Sequence, residues 1–438
     1  MEQILDKAKK GAVTIYFIAL GSMMHFFITE AAFIGGIGVS YRHIFAIIII
    51  FSALLYFLIT PNLSRGIVTL KECIVMSVPT VIMLVSSLLI WLLELTDIDM
   101  IMRGISYYFI YSSNISAALA AGAFLYVFGE NGIWYYLISI LISNVSMLIR
   151  IMLQNGVGTF VSELITLIVT FADETGEVIV QAEIHELAFC LGLFLIYMLL
   201  NIRKKPLFLV MLGIAGFCFI CAFKRIAVAA IAVSVGVAYL LKLVAKIRNH
   251  KSVMRVINVV TWAIIIFLVI YIGAVHAGLF ETLEKAGFET NGRDKIYRYV
   301  NNYYEFSPTF IGRGMAWLSY QLNEVISIGV TAVHNDFLQF YIDLGFWGYV
   351  LWLFSMTMLR TSYFGRNSQT NHAIIAFAVI LYMLIVSMTD NTMNYQLFNG
   401  TAALLIMGHG FDKRVREDEQ KRFEYISQEN KEQGWKLL

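Results

Sequence analysis

A single histidine lies in a short polar run late in the chain, Val333-His334-Asn335-Asp336. An imidazole exchanges a proton near neutral pH, so it is suited to deprotonate or orient a hydroxyl nucleophile. A structural role in a loop is the competing interpretation. His334 is therefore a candidate general base, and Asn335 beside it is a candidate substrate contact.

Two arginines have positions that favour binding of a phosphate group. Arg225 belongs to Lys224-Arg225, which is nearly the whole turn between two apolar runs. A guanidinium offers phosphate oxygens a fixed fork of donors, although a cation that only snorkels to a membrane surface is the alternative. Arg293 follows Asn291-Gly292 and begins a predicted helix, where free backbone amides can help to bind an anion.

Further charged residues give weaker predictions. Arg298 and Arg313 are candidate substrate contacts near Arg293, whereas Lys295 is interpreted as a solvated charge. Glu183 and His185 precede another apolar run, where they either line an acceptor groove or form a polar helix entry.

One acidic motif has the spacing of a metal site. Asp97-Ile98-Asp99 has the D-x-D pattern of metal-dependent sugar transferases, but no histidine is near it and its neighbours are apolar. We therefore predict neither a metal site nor a cofactor.

The composition shows what kind of molecule must position these residues. The chain has 438 residues, of which 59% are hydrophobic and 14% charged, and its mean hydropathy is +0.73. This excludes a soluble globular protein. A formal net charge of +2 gives no reason to expect nucleic-acid binding. The four cysteines lie in or beside apolar runs, so no extracellular disulfide framework is predicted.

Apolar runs long enough to cross a bilayer, about 20 residues each, recur along the whole chain. They lie near 11–28, 42–60, 73–94, 105–128, 133–152, 185–201, 206–222, 226–244, 255–279, 346–360, 373–389 and 395–409. With the amino terminus inside, 22 of the 32 Lys and Arg residues, Arg360 among them, fall in cytoplasmic segments. The positive-inside rule thus favours an even number of crossings.

The predicted organisation is an all-α polytopic membrane protein with about 12 transmembrane helices and a large, partly helical external loop. Residues 1–279 hold helices one to nine, with an external re-entrant or interfacial element near 156–172. The external loop covers 280–345, with helical spacing in 294–304 and 315–328. The last three helices lie in 346–410, and 411–438 form a cytoplasmic helical tail.

Several motifs together resemble the O-antigen polymerase and O-antigen ligase family. They are His334-Asn335-x-x-Leu338, Asp343-x-Gly345-x-x-Gly348, Lys224-Arg225-Ile226-Ala227, Gly292-Arg293 and Gly312-Arg313-Gly314. The resemblance covers roughly 180–409, and the first five helices agree only in hydropathy. Asp343 departs from the pattern because many members have Glu there.

The resemblance implies a metal-independent, inverting glycosyltransferase of the C-type membrane class. Such enzymes transfer a saccharide from undecaprenyl pyrophosphate to an acceptor hydroxyl at the outer face of the bacterial cytoplasmic membrane. Carried over by motif, Arg225 and Arg293 bind the pyrophosphate and His334 orients or deprotonates the acceptor. Membrane lipid, a chain-length regulator and a flippase are the candidate partners.

Three activities remain open at this stage. A polymerase joins lipid-linked repeat units, and a ligase moves the finished chain to a lipid A core sugar. Polymerases are the more numerous members, which favours the first. A lipid-linked oligosaccharide flippase is the third, but transporters concentrate ionisable residues near the bilayer midplane, where this sequence has few.

Overall fold

The architecture comes from a computed structural model. It describes residues 2–27, 31–34, 37–93, 98–170, 176–181, 184–202, 205–222, 224–288, 290, 292–315, 317–322, 333–366 and 369–436. Two strands form a short antiparallel hairpin, β1 (Ala31–Ile34) and β2 (Ile37–Ser40).

The remaining regular structure is helical. The first helices are α1 (Glu2–Phe26), α2 (Tyr41–Ile59), α3 (Leu63–Leu93), α4 (Ile98–Phe128), α5 (Asn131–Asn155), α6 (Val157–Thr170), α7 (Glu177–Val180), α8 (His185–Leu200), α9 (Pro206–Cys221), α10 (Arg225–Ile247) and α11 (His250–His276). They are followed by α12 (Leu279–Lys285), α13 (Arg293–Val300), α14 (Trp317–Tyr320), α15 (Asp336–Phe354), α16 (Arg360–Arg366), α17 (Thr370–Ser387), α18 (Gln396–Gly408) and α19 (Phe411–Lys436). A π-helical turn, Ser355–Leu359, joins α15 to α16.

The helices confirm an all-α polytopic membrane protein. Within the described residues, eight helices are long and apolar enough to cross a membrane: α2, α3, the Tyr108–Phe128 part of α4, α5, α10, α11, the run from α15 to α16, and α17. The other four predicted spans correspond to α1 and to the shorter helices α8, α9 and α18. The count of twelve crossings therefore remains a prediction.

Burial divides the bundle into an inner and an outer set of helices. Nearly every side chain of α8, α17 and α18 is buried, so these helices are surrounded by protein. α10 packs along α17, and α18 packs against both α4 and α8. The peripheral helices instead expose large apolar side chains such as Leu58 and Ile59, as expected of surfaces that face lipid.

Two boundaries differ from the sequence-based expectations. α15 begins at Asp336, ten residues before the predicted start at 346, and its first turns are buried. Arg360, expected in a cytoplasmic segment, is only 5% exposed and lies within the bundle, where its Nη2 donates to the Met76 carbonyl. Arg360 is buried because the helical run continues past it, through the π-turn to Arg366.

The predicted external element near 156–172 forms α6, a helix of 14 residues. That is fewer than the roughly 20 residues that a crossing requires. Its exposed face carries apolar side chains, including Ile165 and Val169. A helix of this length is compatible with the interfacial position, which stays a prediction.

Two glycines of the motifs named above let the loop that precedes α15 cross that helix closely. Gly345 breaks the helix with a left-handed φ of 71°, and Gly312 has a φ of 95°. The backbone amides of Arg313 and Gly314 donate to the Ile342 and Asp343 carbonyls at 2.9 and 2.8 Å. A Cβ on either glycine would overlap the backbone of the other segment. The crossing fixes residues 311–314 of the loop against α15.

Gly345→Ala should therefore destabilise the protein. The new Cβ would meet the backbone of Ile311, and a left-handed φ is itself unfavourable for alanine. We expect a loss of at least about 2 kcal/mol, measured as a lower midpoint of thermal unfolding in detergent. Gly213→Ala is the matched control, because nothing lies within 4 Å of its Cβ position. Equal midpoints for the two variants would contradict this account of the crossing.

Candidate active site

Arg293 ties the loop between α11 and α15 to the connection between α17 and α18. Gly292, with a φ of 76°, turns the chain into α13, and Arg293 is the first residue of that helix. Its Nη2 donates to the Thr389 carbonyl at 3.0 Å. The guanidinium therefore lies at the end of the bundle where α17 ends.

That connection, residues 388–395, holds a buried carboxylate. One Asp390 oxygen accepts from the Asn391 amide at 2.7 Å and from the Tyr395 hydroxyl at 3.1 Å. The other lies 3.3 Å from Nδ1 of His185, at the start of α8. Burial opposes the charge, yet the hydrogen bond from His185 and the Asn391 amide hold the pKa of Asp390 below its ordinary value. Asp390 is thus an ionised partner for His185.

His334 stands on a constrained backbone next to a buried cap. Its φ of 49° is the only positive value at a non-glycine residue in the described chain, and such strain is often found at functional sites. Asn335 is fully buried; its Oδ1 accepts from the Leu338 amide at 3.2 Å and its Nδ2 donates to the Tyr271 hydroxyl at 2.8 Å. These bonds hold the residue beside His334 in place, while His334 itself is exposed.

Charges from four other elements act on the His334 ring. They belong to Asp390, Arg293, His185 and Lys224. Partial desolvation of the ring lowers the pKa of His334, Asp390 raises it, and Arg293, His185 and Lys224 lower it; the net shift is downward. The imidazole is therefore largely neutral at physiological pH and can accept a proton. We call His185, Lys224, Arg293, His334 and Asp390 the His334 cluster.

A buried polar network fastens this cluster to the helices. Asp336 Oδ2 accepts from the Thr392 hydroxyl and the Met393 amide at 3.0 and 3.1 Å. Gln339 Oε1 accepts from Asn391 Nδ2 at 2.5 Å. The connection that carries Asp390 is thereby attached to the first turns of α15, directly after His334.

Glu186 provides a second attachment, next to His185. Its two oxygens accept from the Leu397 amide at 2.6 Å and from Arg42 Nη1 at 2.7 Å. Because Glu186 is buried and each of its carboxylate oxygens accepts a hydrogen bond, it fixes the start of α8 against the start of α18. His185 is positioned as a consequence.

The structure brings some of the predicted site residues together and not others. The structure brings His334, Arg293 and His185 together, with Asn335 as the cap beside them. Arg225 is the exposed first residue of α10, directly after Lys224. Glu183 lies outside the described residues.

Two predicted substrate contacts have partners within the loop instead. Arg298 Nε donates to Glu281 Oε1 at 2.9 Å and so joins α13 to α12. Arg313 Nε donates to the Tyr303 carbonyl at 3.3 Å, and the guanidinium lies near the Trp317 ring. Substrate binding by these two arginines remains a prediction.

Sequence reasoning missed Asp390, and it undervalued Lys224. The run Thr389-Asp390-Asn391-Thr392 between two apolar segments was the available signal. Short polar connections are common in membrane proteins, so the polar run does not predict a functional residue. The contact between Asp390 and His185 is seen only in the tertiary structure.

The alternative metal motif falls at the edge of the described chain. Asp97 lies outside it, and α4 begins at Ile98. Among the residues that the structure describes, no three His, Cys, Asp or Glu side chains are grouped to hold a metal ion.

A neutral imidazole beside Arg293 and Lys224 is an arrangement that can deprotonate a hydroxyl and bind an anionic leaving group.

Comparison with known proteins gives one family match. Residues 210–353 match the family model described as O-antigen ligase, and no curated protein matches the chain. The match includes Lys224, Arg293 and His334. It confirms, over these residues, the resemblance to the O-antigen polymerase and ligase family, and it supports a membrane enzyme that processes polysaccharide.

Proposed function

We propose that this membrane protein, which carries an O-antigen ligase family domain at residues 210–353, polymerises oligosaccharide repeat units linked to undecaprenyl pyrophosphate. The reaction takes place at the outer face of the bacterial cytoplasmic membrane. The observation that carries the proposal is the convergence of a neutral histidine with two cations, His334 with Arg293 and Lys224. These residues are distant in sequence and meet at one end of the bundle.

The proposed reaction is an inverting transfer. His334 takes the proton of an acceptor hydroxyl, whose oxygen attacks the anomeric carbon of the donor saccharide. The bond from that carbon to the pyrophosphate oxygen breaks, and its electron pair leaves with the pyrophosphate. Arg293 and Arg225 bind the leaving group, with Lys224 as a further cation, so developing negative charge is stabilised by groups already in place.

Asp390 and His185 have positioning roles in this proposal. Asp390 holds His185 at 3.3 Å, and its charge partly offsets the effect of the cations on the His334 pKa. His334 is thereby kept basic enough to accept a proton despite Arg293 and Lys224. A base whose pKa lies near the working pH is the most effective.

Reconstitution tests the proposal directly. The protein in liposomes is supplied with one undecaprenyl-pyrophosphate-linked repeat unit, and the products are read by mass spectrometry. A ladder of chain lengths on the lipid carrier is expected, and it should persist in EDTA. Transfer only after addition of a lipid A core acceptor would establish a ligase instead. Loss of transfer in EDTA with recovery in Mg²⁺ would overturn the cation-based mechanism.

Asp390→Asn should shift the pH dependence of transfer. Neutral His334 is the active form, so the rate falls as the pH decreases through the His334 pKa. The Asp390 charge raises that pKa, and removing it lowers the pKa further. The acid limb of the rate profile should therefore move to lower pH, whatever the change in maximal rate.

Glu281→Gln is the control for this shift, because Glu281 pairs with Arg298 in the external loop and should leave the acid limb in place. An acid limb that stays fixed or moves to higher pH in Asp390→Asn would contradict the role assigned to Asp390.

A further inference from the structure

A basic cavity lies at the end of the bundle opposite to the His334 cluster. Its volume is about 330 Å³, and it lies between the end of α16 and the starts of α17 and α19. The lining residues are Arg366, Gln369, His372, His409, Gly410, Lys413, Arg414, Glu417 and Lys421. The 18 residues of α17, at about 1.5 Å each, separate it from the connection that carries Asp390 by roughly 27 Å.

One side of this cavity is a fixed, charge-balanced wall. Arg414 donates to both oxygens of buried Glu72 at 2.6 and 3.1 Å. Its Nη1 also donates to Nδ1 of His372 at 3.0 Å, and Nε2 of His372 donates to the Ile406 carbonyl at 2.6 Å. Because arginine can only donate, His372 is the neutral tautomer here. These groups shape the wall and leave little net charge on it.

Two other cations of the cavity have no such compensation. These two are Arg366 and Lys421, which have no ion-pair partner among the side chains that the structure describes. The remaining lysine of the cavity, Lys413, does have one, since it lies 3.5 Å from Glu417. Arg366 and Lys421 come from different elements, α16 and α19, and both line the same cavity. Two uncompensated cations around a space of ligand size suit an anion, and phosphate oxygens match both arginine and lysine donors.

The position of α19 adds an independent observation. Arg65 pairs with Asp412 at 3.3 Å, and Arg414 with Glu72, so the start of α19 is anchored to α3. Farther along the helix, the rings of Phe423 and Tyr425 are 77% and 67% exposed. Exposed aromatic side chains on a helix attached to a membrane bundle are typical of the interface between water and lipid headgroups. The helix that lines the cavity therefore carries a feature typical of helices at the level of lipid headgroups.

We propose that this cavity binds the phosphate group of an anionic ligand, contacted by Arg366 and Lys421. The positive-inside prediction places this end on the cytoplasmic face. There the phosphate comes either from an anionic phospholipid headgroup or from a soluble phosphate. Basic pockets between membrane helices on this face commonly hold lipid headgroups. The site is separate from the proposed transfer reaction.

The test is a ligand titration of the purified full-length protein in detergent, followed by thermal unfolding. Short-chain phosphatidylglycerol, phosphatidylcholine of the same chain length and inorganic phosphate are the three probes. We expect a saturable rise in the unfolding midpoint with phosphatidylglycerol and none with phosphatidylcholine. A response to inorganic phosphate with competition between the two anions would identify soluble phosphate as the ligand. A response to phosphatidylglycerol alone would identify the headgroup.

Paired variants locate the site. Arg366→Gln combined with Lys421→Gln should weaken the apparent affinity for the anion at least about tenfold, because each charge-assisted contact is strong. Arg416→Gln combined with Lys251→Gln removes the same two residue types from exposed positions outside the cavity and should leave the affinity within about twofold. No saturable response to either anion, equal responses to both phospholipids, or equal loss in the two double variants would overturn the proposal. Because the unfolding midpoint is measured without turnover, this test of the anion site does not depend on the polymerase activity.

Discussion

His334→Asn is expected to retain the fold and lose nearly all polymer formation. Asparagine tolerates the left-handed backbone that His334 adopts at a φ of 49°, so it preserves the local conformation better than alanine does. It cannot take the proton of the acceptor hydroxyl. Removal of a positioned base costs roughly 10²- to 10⁴-fold in rate, and His334→Ala should lose at least as much.

The measurement is the initial rate of chain elongation in liposomes, with expression level and unfolding midpoint as controls for folding. The midpoint of His334→Asn should stay close to that of the wild type, whereas His334→Ala should be slightly lower because alanine is strained there. Elongation at a near-normal rate by either folded variant would remove His334 from the mechanism, even if the protein is still a glycan polymerase.

Arg293→Lys is expected to lower the elongation rate strongly although the positive charge is kept. One guanidinium nitrogen is already bonded to the Thr389 carbonyl, and the planar fork leaves further donors for the pyrophosphate. A lysine ammonium is a single point and cannot reproduce both arrangements. Losing a charge-assisted contact costs about 1.5–3 kcal/mol, which corresponds to a roughly 10- to 150-fold lower rate if the contact forms in the transition state.

Lys295→Ala is the matched control, because Lys295 is an exposed cation two residues later on the same helix. Residues two apart point to different helix faces, so this variant should elongate at close to the wild-type rate. The pyrophosphate role of Arg293 would be refuted by an Arg293→Lys protein with wild-type kinetics, or by equal losses in the two variants.

Hydropathy was sufficient to predict the class of the molecule and the approximate place of its helices. A bilayer imposes a simple condition, since each crossing needs about 20 apolar residues, and this condition acts on local stretches of sequence. The runs near 42–60 and 226–244 accordingly coincide with α2 and α10. Hydropathy was less informative where helices are surrounded by protein. It did not predict that α15 begins at Asp336 or that Arg360 is buried.

The candidate site shows the same division. Arg293 and His334 were recognisable because their neighbours, Gly292 and Asn335, form motifs that are read along the chain. Asp390 was not, because its contact with His185 joins α8 to the connection after α17 and has no trace in local spacing. The charge state of His334 was also inaccessible, since it depends on groups that four distant segments bring near its ring. Residue type and order are properties of the chain, whereas desolvation and the field at a side chain arise only when the bundle packs.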